Sequence, residues 1–72
     1  MNKIKFRLRE LRNRSRLSLE EVSIITGFDT STISKHESGS RNPTPDAIAK
    51  YSKLYKVETH ELFELEDLIE KD

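Results

Sequence analysis

Residues 18–39 run Ser18-Leu19-Glu20-Glu21-Val22-Ser23-Ile24-Ile25-Thr26-Gly27-Phe28-Asp29-Thr30-Ser31-Thr32-Ile33-Ser34-Lys35-His36-Glu37-Ser38-Gly39, and their punctuation decides the fold. Ser18 followed three residues later by Glu21 is a capping box, which predicts a helix opening at Leu19. Gly27 can take the left-handed conformation that ends it. Asp29 then stands at an N-cap position, and Gly39 marks the end of the helix that follows. At about 100° per residue, Thr30, Ser31, Ser34, Lys35 and Ser38 of that helix share a polar arc of roughly 140°. Ile33, His36 and Glu37 point the other way. Two short helices about a glycine turn, the second with a polar outer face, form a helix-turn-helix arrangement. Small hydrogen-bonding groups around one cation suit close approach to base edges and phosphates in a major groove.

On either side of this stretch the pattern stays helical. Ile4, Leu8, Leu11 and Ser15 recur at i, i+4, i+7 and i+11, which predicts a first helix with Arg and Lys around its other faces. Residues 38–44 are a loop by composition. Thr44 as N-cap and Pro45 at the first helical position open a fourth helix, with Ala47, Ile48, Tyr51, Leu54 and Tyr55 in one apolar arc. A fifth helix is expected from near Glu58 or Thr59, burying Leu62 and Phe63. Leu65, Leu68 and Ile69 add an i, i+3, i+4 stripe beyond it. With no repeats and no β-alternation visible, the expected class is all-α, with five helices. The expected division is a domain over 1–63 and an acidic extension over 64–72 that either continues the last helix or frays.

The 72 residues are enough for one small domain whose core is marginal alone. The formal net charge of zero hides a division: residues 1–41 carry nine Lys/Arg against five acids, and residues 42–72 four Lys against eight acids. A charged half presented as one face can meet a polyanion; it can equally be a solvated helix surface. Without cysteine there is no disulfide scaffold and no thiolate metal site. The longest apolar run, Ala47-Ile48-Ala49, is far too short to cross a bilayer. A cytoplasmic protein with no membrane association is the expectation.

Leu17-Ser18-Leu19-Glu20-Glu21-Val22, Gly27-Phe28-Asp29-Thr30-Ser31-Thr32-Ile33-Ser34-Lys35, Glu37-Ser38-Gly39 and Arg41-Asn42-Pro43 together resemble the lambda-repressor-like (Cro/Xre) DNA-binding family. The flanks Arg7-Leu8-Arg9-Glu10-Leu11-Arg12, Tyr51 to Val57 and Glu61-Leu62-Phe63 extend the resemblance over roughly residues 4–63. It implies a domain that binds operator DNA as a two-fold dimer. It places Thr30, Ser31, Ser34 and Lys35 at base-reading positions. Ser18 and the backbone N–H of Leu19 fall at the phosphate-clamping helix N-terminus, and Ser38, Arg41 and Asn42 on the loop that grips the backbone. Arg12 and Glu37 match a structural ion pair. Three positions depart from the pattern. Leu19 replaces a frequent glutamine, Thr26 replaces an apolar residue and thins the core, and Glu58 replaces a Ser/Thr cap.

Other classes find little support. His36 and His60 lie far apart without cysteines or paired carboxylates at ligand spacing, so His36 reads as a packing residue rather than a metal ligand. The serines lack a nucleophile elbow. The reading is a transcriptional regulator, a repressor or controller, with no catalysis, cofactor or small-molecule ligand. Its partners would be double-stranded DNA and a second copy in a weak homodimer, joined through tails whose mutual repulsion salt would relieve. The rival is a protein-interaction module, such as an antitoxin or anti-repressor partner. It is disfavoured because the polar arc lacks the aromatic or aliphatic anchors of an interface core.

Overall fold

Four α-helices and a 3-10 turn build the domain, and a two-stranded antiparallel ribbon joins its ends. The structure, a computed structural model, describes residues 3–66. The order is β1 (Lys3–Phe6), α1 (Leu8–Arg14), α2 (Leu19–Thr26), α3 (Thr30–Ser38), α4 (Pro45–Tyr55), the 3-10 turn (Thr59–Leu62) and β2 (Phe63–Glu66).

Local chemistry sets most of these boundaries. The Ser18 hydroxyl accepts from the Glu21 N–H at 3.0 Å, and the Glu21 carboxylate accepts from the Ser18 N–H at 2.8 Å. Gly27 and Gly39 end α2 and α3 at φ 83° and 85°, where a side chain would be strained. Thr44 caps α4 by accepting from the Ala47 N–H, with Pro45 in the first turn, where its missing N–H costs nothing. Asp29 occupies the N-cap position of α3 with extended backbone, but its side chain makes no cap hydrogen bond.

Leu8, Leu11, Val22, Ile33, Ala47, Tyr51, Tyr55 and Leu62 form the core, so every helix and the 3-10 turn contribute to it. Thr26 is buried there as well, and its hydroxyl does not thin the packing. It donates to the Val22 carbonyl at 2.8 Å and accepts from the Phe28 N–H at 3.2 Å, stapling the turn between α2 and α3. A buried hydroxyl is tolerated when both its roles are filled.

Three expectations are corrected at the ends of the chain. The first helix begins at Leu8, and Ile4 lies on a strand. The fifth helix is replaced by the 3-10 turn, with Leu65 on β2 rather than on a helical continuation, so the described residues hold four α-helices. Leu68 and Ile69 lie outside the described residues. The physical reason is a period-two pattern in both segments: Lys-Ile-Lys-Phe and Phe-Glu-Leu-Glu alternate polar and apolar residues. The register sets Ile4 opposite Leu65 and Phe6 opposite Phe63, with Lys3 opposite Glu66 and Lys5 opposite Glu64. The Phe6 and Phe63 rings meet edge-on at 6.0 Å, and the Arg7 N–H donates to the Leu62 carbonyl at the ribbon's base.

Candidate nucleic-acid interface

α3 buries Ile33, His36 and Glu37 and leaves Ser31, Ser34, Lys35 and Ser38 exposed, with Thr30 half-buried at its start. The sequence-predicted base-reading residues therefore share one outward face over two turns. The loop behind them is tied to the same helix. The Lys35 carbonyl accepts from the Gly39 N–H at 3.0 Å, the Arg41 N–H at 3.3 Å and the Ser38 hydroxyl at 3.2 Å. Ser38 and Ser40 hydroxyls bond each other at 2.6 Å. These bonds hold exposed Arg41 beside the last turn of α3; Asn42, also exposed, follows it.

At the other end, Ser18 and Leu19 begin α2. The Leu19 N–H is one of the donors that a helix leaves unfilled at its start, and the Ser18 hydroxyl, accepting from Glu21, keeps its own proton to give. Glu20 and Glu21 stand in the same turn, so an anion there meets two carboxylates as well as the helix dipole. The side chain of Leu19, half-buried against the core, offers an anion nothing.

Arg12 and Glu37 fix α3 to α1. The Arg12 Nε donates to one Glu37 oxygen at 2.6 Å and Nη2 to the other at 3.1 Å, a two-pronged pairing. A third N–H of Arg12 reaches the Leu17 carbonyl ahead of α2. The side chains are 14% and 2% exposed, and the bond to Glu37 raises the Arg12 pKa despite the cost of burial. Arg9, well exposed, adds a second cation 3.5 Å from Glu37, a contact with no signal in the spacing of the chain.

Behind the exposed face of α3, His36 Nδ1 lies 2.7 Å from the Tyr51 hydroxyl, and the two rings cross nearly at right angles. Phe28 packs edge-on against His36 and tilted against Tyr51, and Tyr51 stacks on Tyr55. The Tyr55 hydroxyl is buried with no hydrogen-bond partner among the described residues; burial and the Glu37 charge push it up to about 12. Lys50 closes the cluster, its Nζ on the Thr26 carbonyl at 3.1 Å and 5.0 Å from the centre of the Phe28 ring.

Burial, and then the charge of Arg41, hold the His36 imidazole below its ordinary value. The unfolded chain takes up this proton near pH ~6.5, and the folded one only at lower pH. Stability should therefore fall as the pH drops through that window, by up to ~1.4 kcal/mol per pH unit until the folded imidazole itself titrates. Thermal melts between pH 7 and 5.5 should show this slope, and His36→Gln should remove most of it.

Comparison with known proteins finds similarities of sequence and of structure. A family model described as helix-turn-helix domain matches residues 6–65. The uncharacterized HTH-type transcriptional regulator RghRB of Bacillus subtilis (strain 168) is 39% identical over 51 residues, 69% of this chain; the match spans only 37% of that relative's length. The restriction-modification controller protein C.AhdI from Aeromonas hydrophila superposes with a TM-score of 0.72 at 38% identity, covering 79% of this chain and 86% of that one.

Proposed function

Because the chain belongs to the lambda-repressor-like helix-turn-helix family, we propose that it is a transcriptional regulator, a repressor or controller that reads a palindromic operator in double-stranded DNA as a dimer. The exposed arc of α3 carries this reading, because its side chains stand on a helix whose opposite face is locked into the core. Thr30, Ser31, Ser34 and Lys35 meet base edges. Ser18, the Leu19 N–H, Ser38, Arg41 and Asn42 hold phosphates. Two copies place their recognition helices in successive major grooves ~34 Å apart. The controller named among the similar proteins acts in a role of this class. No helix among the described residues is long and apolar enough to cross a membrane.

Lys35 is the one long cation on the arc, and it can span the O6 and N7 acceptors of a guanine. Lys35→Ala should cost ~1–3 kcal/mol on the preferred site and relax the preference at one base pair. Selection of sites from a random duplex pool, with the native chain and with this variant, is the test. An unchanged preference at every position would reject base reading by Lys35, and no enrichment with the native chain would reject the DNA reading altogether. Arg41→Ala should weaken all sequences alike and flatten the slope of log K against log salt by ~1 per subunit. The interaction-module reading, expected to use the acidic C-terminal half, gains a separate observation in the exposed Ile24 and Ile25 of α2.

A further inference from the structure

Ile24 is 81% exposed and Ile25 56%, although α2 buries Val22 and Thr26 on its other side. Ile25 opens onto a groove of about 330 Å³ lined with Thr26 from α2 and Lys50, Lys53 and Leu54 from α4. On one wall Lys50 contacts the Thr26 carbonyl, the Phe28 ring and, at 3.7 Å, Asp46. Lys53 makes no ion pair among the described residues. Glu20 and Glu21 stand a turn back on α2, Glu21 already engaged in its cap. An apolar floor with a cationic rim selects branched apolar side chains flanked by carboxylates.

The chain carries such a segment. Residues 67–72 read Asp67-Leu68-Ile69-Glu70-Lys71-Asp72. β2, which precedes it, packs on β1 and the 3-10 turn, and that turn packs on α4, one wall of the groove. Two such segments laid side by side would repel, since residues 61–72 hold six acids and one Lys. Each placed against the other copy's Lys50 and Lys53 would be attracted.

We propose that the α2–α4 groove receives residues 67–72 of a second copy, so that two chains exchange their acidic segments reciprocally. The exchange is self-complementary and closes at two copies. It rests on the dimer reading above and not on DNA.

The absence of cysteine allows a nitroxide to be attached at a single site, Lys71→Cys, which keeps every acid. Spin-labelled chain without isotope is mixed with isotope-labelled native chain, at concentrations where sedimentation shows a dimer. The amide signals of Ile24, Ile25, Lys53 and Leu54 should broaden in the isotope-labelled copy, and added salt should weaken the dimer. Ile25→Ser with Lys53→Glu, both at exposed positions, should leave the melting temperature unchanged, abolish the broadening and raise the dimer dissociation constant about tenfold. A dimer that broadens other residues, strengthens with salt, or shows broadening only when both labels sit on one chain overturns the exchange and leaves the dimer standing. A chain that stays monomeric at high concentration overturns both.

Discussion

Arg12→Met should destabilise the domain by ~3–5 kcal/mol, because it leaves the Glu37 carboxylate, 2% exposed, without its two-pronged partner. Glu37→Gln should cost less. Arg12 is 14% exposed and retains the Leu17 carbonyl, so its guanidinium can recover water, whereas Glu37 without Arg12 has only Arg9 at 3.5 Å. Arg9 is mostly exposed and screened, and a contact of that kind contributes little. The ordering of the two variants is therefore as informative as the size. Thermal denaturation of both is the measurement; if each melts within a degree or two of the native chain, the pair does not hold α1 to α3. A loss of this size approaches the roughly 5 kcal/mol at the lower end of domain stability, so Arg12→Met should be largely unfolded at 37 °C.

Tyr51→Ala should cost a similar ~3–5 kcal/mol by a different route. Tyr51 is 1% exposed and touches three rings, so its removal opens a cavity under both α3 and α4. Tyr51→Phe separates packing from hydrogen bonding. It keeps the stack on Tyr55 and strips only the bond to His36, which should cost ~1–3 kcal/mol for the group left unpaired. Urea titrations of the two variants give both terms. Equal losses would mean that the ring contributes nothing beyond its hydroxyl.

How much of this was readable beforehand depended on distance along the chain. The capping box at Ser18, the glycines at 27 and 39 and the Thr44-Pro45 start are signals contained within a few residues, and each marks an observed boundary. The outward face of α3 follows from helical angle alone. At Ile4 the local pattern is ambiguous, because i, i+4 spacing to Leu8 satisfies a helix as readily as Lys-Ile-Lys-Phe satisfies a strand. Only the partner strand at the far end of the chain decides between them. The fifth helix failed for the same reason, its Phe63 and Leu65 being claimed by the ribbon. Thr26 looked like a defect by residue type, and its role emerged only with the neighbouring Phe28 N–H in place. The His36–Tyr51 bond and the Arg9–Glu37 contact join residues on different helices and leave no mark in local spacing.

The ribbon that joins the two ends also sets an order in which the molecule assembles. Contacts between α2 and α3 close loops of a few residues, while β1 meets β2 only by closing a loop of nearly the whole chain, and that entropy must be spent before any ladder bond returns it. The helices therefore collapse first and the ends zip together last, on a core already made around Leu8 and Leu62. In reverse, the ribbon is the first part to fray. Amide hydrogens of Lys3–Phe6 and Phe63–Glu66 should exchange through local opening while those of α3 wait for global unfolding.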